Sequence, residues 1–139
     1  MSLRRVMPLM GRVNRLVFNV PYVGEIMVRA ASRAMGSLAF RLPVVGGRPS
    51  AHIGDVRDQW LRFVGLAGLR PTVEQKEDGM FDFSFDRCPY GYSEAHDQDV
   101  CDACLDLVRI YFEMLRGRLE VKERRTYGGS CCRFHVSFR

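Results

Sequence analysis

Five cysteines, Cys88, Cys101, Cys104, Cys131 and Cys132, are the side chains in this sequence best suited to chemistry. Thiolates ligate Zn²⁺ and iron–sulfur clusters, and they are also strong nucleophiles. Their usefulness depends on which of them share a face. On a helix drawn at 100° per residue, Val100, Cys104, Leu107, Val108, Tyr111, Met114 and Leu115 fall on one arc, with Cys101 and Phe112 at its margin. Asp102, Asp106, Arg109 and Glu113 lie opposite. Cys101 and Cys104 are therefore expected to look inward. Asp102 and Asp106 should look toward water, where acid–Arg pairs at helical spacing contribute only tenths of a kcal/mol.

The C-terminal stretch reads as a hairpin. A two-residue Gly128-Gly129 turn pairs Arg125 with Cys132, Glu123 with Phe134, Val121 with Val136 and Leu119 with Phe138. This register turns Cys132 inward and Cys131 outward with Arg133 and His135, which makes Cys131 a bystander. Glu123 and Arg125 then fall on the core side, where an unpaired charge is expensive.

Three readings of these residues compete. Cys88, Cys101, Cys104 and Cys132 have the ligand count of a structural zinc site or an iron–sulfur cluster. Alternatively, Cys132 is a nucleophile, with Arg125 lowering its pKa and Glu123 serving as acid/base. In the third, the thiols are small buried hydrophobes. Of the histidines, His52 and His96 sit near helix starts and His135 points outward, leaving only His96 able to join a cysteine site. No phosphate loop, dinucleotide fingerprint or Ser/His/Asp pattern is present.

These residues need elements to hold them. Helical stretches are expected at about Leu9–Asn19 and Tyr22–Phe40. In the second, Val23, Ile26, Met27, Ala30, Ala34 and Leu38 recur at helical spacing, apart from Glu25, Arg29 and Arg33. Such a stripe is expected to pack on the chain's own domain. Val44–Pro49 reads as a linker with Ser50 as N-cap. A third helix carries Ile53, Val56, Trp60, Phe63, Val64 and Ala67 on one stripe. Met80–Asp86 alternates strictly and buries three Phe. Its polar partner, Thr72–Lys76, joined through Glu77-Asp78-Gly79, sets Val73 against Phe83 as an edge strand. A fourth helix, about Asp97–Arg116, is closed by Gly117, and the last hairpin follows. The sum is an α+β fold: a four-stranded antiparallel sheet of two hairpins, covered by helices, with a helical N-terminal segment. Residues 1–48 form the basic helical segment and 49–139 the α+β cysteine-containing domain.

The 139 residues suit one domain, and the apolar share of 47% supports a packed core. The net charge of +5 is uneven: residues 1–50 hold eight Arg and one acid, Glu25, while the remainder is at −2. With no reader motif, nucleic acid is not the expected partner. A membrane-surface or protein contact through residues 1–48 is a better use of this segment. No uncharged apolar run is long enough to span a bilayer, and no signal-peptide pattern is present. The cytoplasm is the expected compartment, where clustered thiols stay reduced.

Asp86-Arg87-Cys88-Pro89-Tyr90, then Cys101 and Cys104, then Arg125-Thr126 and Gly129-Ser130-Cys131-Cys132-Arg133-Phe134 form a pattern that resembles the L-2-amino-thiazoline-4-carboxylic acid hydrolase-like family. Glu123 with Cys132-Arg133-Phe134 is more distantly similar to the 4-vinyl reductase domain. The resemblance covers about Met80–Phe138. The first family implies hydrolysis of a cyclic amidine or amide C–N bond in a small heterocyclic substrate. The second implies a module for hydrophobic or tetrapyrrole-like ligands, in some members with cysteine-bound metal. Cys104 stands where the hydrolase-like pattern carries Asp, which shifts weight toward metal. The expectation is therefore a thiol hydrolase on Cys132, Glu123 and Arg125. The alternative is a non-catalytic module binding zinc, an iron–sulfur cluster or a hydrophobic ligand.

Overall fold

A computed structural model describes residues 3–42, 52–77 and 79–138. The expected linker at Val44–Pro49, the Ser50 cap and Asp78 of the first hairpin turn lie outside the described residues. The elements run α1 (Leu3–Phe18), α2 (Gly24–Arg41), α3 (Ile53–Leu66), β1 (Thr72–Gln75), β2 (Phe81–Phe85), α4 (Gln98–Cys104), α5 (Asp106–Met114), β3 (Gly117–Glu123) and β4 (Cys132–Phe138). Single 3₁₀ turns stand at Ala95–Asp97 and Arg125–Tyr127. The α+β class and the helical front segment are as expected.

The sheet is antiparallel in the order β1-β2-β4-β3, so the two hairpins meet through β2 and β4. β1 is an edge strand and Val73 faces Phe83, as the alternation dictates. Phe81, Phe83, Phe134 and Val136 project from the central strands into the core. Trp60 of α3 is buried against Phe83, Tyr111 and Phe112, with ring centroids 5.0, 5.5 and 4.9 Å away. Burying aromatic rings of this size supplies the largest apolar areas any side chain can offer.

Three expectations need correction. The last hairpin has no two-residue turn. Arg125–Tyr127 winds into a 3₁₀ turn, Gly128 takes φ 85°, and a bulge falls between Val121 and Glu123. Val121 therefore faces Phe134 and Leu119 faces Val136, two residues from the expected register. Up to the bulge a slip of two preserves the face of each side chain. Beyond it Glu123 pairs with Arg133 and leaves the core side, and Cys132, opposite Phe85 of β2, still points inward. Second, the fourth helix is two segments that meet at Leu105, and the left-handed residue at its end is Arg116, φ 63°, with Gly117 already in β3.

The third correction concerns α2. Its apolar stripe is exposed: Val23, Ile26, Met27 and Leu38 face outward. The buried residues are Gly24, Val28, Ser32, Gly36, Ala39 and Phe40. The cause is close approach. A Cβ at Gly36 would collide with the Leu107 carbonyl and the Ile110 side chain of α5, and one at Gly24 with carbonyls of α1. The small-residue face lets α2 lie flush on its neighbours, so the bulky stripe is left outside.

Candidate functional site: an apolar cavity lined by four thiols

Between the helices and the sheet lies a cavity of about 360 Å³, within the ~300–1,000 Å³ of small-molecule sites. Met7 and Met10 of α1, Trp60, Phe63 and Val64 of α3, and Phe83 and Phe134 of the sheet supply its walls. Met35, Leu38, Leu42 and Leu66 line it and are also exposed, which places the opening between α2 and α3. Arg124 is the only charged side chain among the described lining residues.

Cys88, Cys101, Cys104 and Cys132 all line this cavity. Sequence periodicity foresaw the inward orientation of Cys101, Cys104 and Cys132 but not the space before them. Burial pushes the Cys88 thiol up to about 11, and it raises Cys101, Cys104 and Cys132 from their ordinary value as well. Arg125 and Arg124 pull Cys132 the other way, but desolvation outweighs them. Burial at Cys132 thus works against the expected thiolate. Cys104 accepts a hydrogen bond from Asn14 Nδ2 at 3.3 Å and lies 3.6 Å from the Tyr92 hydroxyl, turned toward α1.

The expected acid/base, Glu123, lies away from Cys132, and Arg125, though near it, has its guanidinium engaged elsewhere. At the bulge, Glu123 accepts hydrogen bonds from the Ser130 amide at 2.8 Å and its hydroxyl at 3.1 Å, which hold its carboxyl below the usual range. Its other oxygen is 3.6 Å from the sulfur of Cys131, not Cys132, so Cys131 is a loop contact rather than a bystander. Arg125 donates to the Asp86 carbonyl at 2.6 Å. Among the described residues no group of three or more His, Cys, Asp or Glu side chains is placed to hold a metal ion. His96 is exposed beside Asp97, outside the cavity.

Ion pairs fix the cavity's frame. Arg15 of α1 donates to both oxygens of Asp97 at 2.7 and 2.8 Å, and Asp97 is fully buried. The Arg15 hydrogen bond leads in holding the Asp97 carboxyl below its ordinary range, although burial acts against it. Burial also opposes ionisation of Asp102, yet Arg29 and Arg109 hold its pKa down. Asp102 also takes Arg124 at 3.3 Å, and Arg29 reaches Asp106. These carboxylates tie α2, α4, α5 and the turn after β3 together. Sequence reasoning missed the Arg15–Asp97 pair because its partners stand 82 residues apart.

No family model matches the chain, and no curated protein does, so neither resemblance noted in the sequence is joined by a family match. Among the described residues no helix is long and apolar enough to cross a membrane. The fold is similar to that of a trafficking protein particle complex subunit 3 from Naegleria fowleri, crystallised covalently bound to palmitic acid. The TM-score is 0.59 at 18% identity, over 97% of this chain and 96% of that one. The expectation of a thiazoline-opening hydrolase, or of a zinc or iron–sulfur module, is corrected by this likeness, with no metal-holding group among the described residues. The chain shares its fold with a trafficking-complex subunit.

Proposed function

We propose that this protein holds a single fatty acyl chain in its apolar cavity and serves as an acyl-carrying subunit in membrane trafficking or vesicle tethering. One observation carries the reading: a 360 Å³ cavity with apolar walls that opens between two helices and is lined by four thiols. An alkyl chain gains about 0.8 kcal/mol for each CH₂ it removes from water, and such walls ask for no hydrogen bond in return. The palmitate of the trafficking subunit with the similar fold supports this choice of ligand. The same reading places the protein in the cytoplasm and gives its front helices a role in contacting other components.

Native mass spectrometry of protein purified without detergent tests it. An adduct of fatty-acid mass is expected, either lost on denaturation or, if a thiol holds it as a thioester, released by hydroxylamine. Ala67→Trp, at the half-buried end of α3 on the cavity wall, should block uptake of a fluorescent fatty acid by at least about tenfold. Absence of any adduct, with no fatty-acid uptake by the wild-type protein, refutes the proposal.

A further inference from the structure

The cavity wall carries one charge. Arg124, just beyond β3, is the only charged side chain among the described lining residues, and it is 19% exposed. A guanidinium has five N–H donors and keeps its charge. Among the described residues Arg124 uses them in one long hydrogen bond, 3.3 Å, to Asp102 Oδ1. Asp102 already receives Arg109 on that oxygen at 3.0 Å and Arg29 on the other at 3.0 Å. One carboxylate is divided among three cations, and Arg124 has the weakest hold on it. The Tyr127 ring centroid, 4.1 Å from the guanidinium carbon, helps fix the group in place. Burial dominates the pKa values of Cys101 and Cys132, and against it the Arg124 charge pulls both down, so that charge is felt at two cavity thiols.

The place of Arg124 matters as much as its charge. Asp102, its partner, also holds Arg29 of α2. Met35, Leu38 and Leu42, at the opening, stand about 9–20 Å further along that helix at ~1.5 Å per residue. The charge and the opening therefore mark different ends of the cavity. An apolar opening gives a polar head group nothing to bond, whereas a half-buried cation short of acceptors gives it a partner. We infer that the ligand is an unesterified long-chain carboxylic acid, its carboxylate paired with Arg124 and its tail laid along α2 toward the opening. The inference rests on the acyl-chain reading and makes it specific: the head group, not a thiol, fixes the chain. A carboxylate takes two parallel N–H bonds from a guanidinium, filling donors that Asp102 leaves unused. Burial favours the neutral form of Cys88, Cys101 and Cys132, which keeps negative charge away from the carboxylate. An alcohol or a thioester of the same length brings no charge to this pairing.

Isothermal titration calorimetry of the full chain with dodecanoic acid and with dodecanol tests this. The acid should bind at least about tenfold more tightly, since only it forms a charge-assisted pair. Arg124→Gln should weaken acid binding by at least about tenfold and leave the alcohol's affinity within about twofold. Arg124→Lys, which keeps the charge but loses the fork, should retain part of the preference. Arg109→Gln also removes a partner of Asp102, but from a side chain outside the cavity wall, so the full preference should remain. A loss in Arg109→Gln as large as in Arg124→Gln assigns the effect to the ion-pair network and overturns the inference. Equal affinity of the wild-type protein for acid and alcohol overturns it too, and this comparison decides even where Arg124→Gln fails to fold. So does a native ligand released only by hydroxylamine, because a thioester has no carboxylate. Each of these results leaves the acyl-chain reading standing, whereas a wild-type protein that binds neither compound ends both.

Discussion

Replacing Arg15 by Leu tests how α1 is held over the cavity. Arg15 makes a bidentate contact with Asp97, whose fully buried carboxylate also takes a long bond, 3.4 Å, from the Ser93 amide and lies 3.5 Å from His96 Nε2. Removing one partner of a buried pair costs ~3–5 kcal/mol because the other charge stays behind. Arg15 is one-third exposed, so water recovers part of the loss and about 2–3 kcal/mol is expected. That is a fall of about 8 °C in Tm for a chain of this size. The pH dependence carries the mechanism. In the wild-type protein the Asp97 pKa is lowered. Its stabilising effect is therefore complete above the ordinary carboxylate value and fades as pH falls through the lowered one. In Arg15→Leu the largest lowering cause is gone, burial is opposed only by the Ser93 amide and His96, and the pKa rises. The variant's penalty is then full at neutral pH and vanishes as the carboxyl takes up a proton. Urea unfolding at neutral pH and at about pH 4 should show the gap between the two proteins narrowing at the lower pH. Asp97→Asn in the Arg15→Leu background should recover part of the loss at neutral pH. A gap that does not change with pH, or one below about 1 kcal/mol, refutes the buried-pair account.

Gly36→Val should cost about 1–3 kcal/mol in chemical denaturation, since any side chain there meets the Leu107 carbonyl and Ile110. Fatty acid added in excess should protect Cys88, Cys101, Cys104 and Cys132 from alkylation and leave Cys131 unprotected, as read by peptide mapping. Because burial pushes the Cys88 thiol up to about 11, its alkylation rate should keep climbing well beyond pH 9, where an ordinary thiol has levelled off. Glu123→Ala should loosen the loop at Ser130 without changing fatty-acid uptake, because its carboxylate contacts that loop rather than the cavity.

Most of the secondary structure was legible. The alternation of Phe81, Phe83 and Phe85 and the stripe of Val56, Trp60 and Val64 identify their own inward faces, since each depends only on local periodicity. The inward thiols were legible for the same reason. Their chemistry was not, because thiolate stability depends on dielectric and on charges brought from other elements. Arg124 and Arg125 do stand near Cys132, yet burial there dominates. Glu123 shows a related failure: a bulge and a 3₁₀ turn replaced the assumed two-residue turn and moved its carboxylate onto Ser130.

By itself the sequence determined which segments are helix and strand, the β1–β2 register, the charge of the front segment and the faces that carry Cys101, Cys104 and Cys132. Each follows from interactions within a few residues, or across a single turn, that survive in any tertiary arrangement. Only the tertiary structure decided that β2 pairs with β4, that Arg15 meets Asp97, and that α2 turns its small residues inward and its large ones out. It also decided that four thiols line one apolar cavity. Close packing is the physical reason. How far two helices can approach, and what space remains between them and a sheet, depends on side chains distant in sequence that must fit together at once.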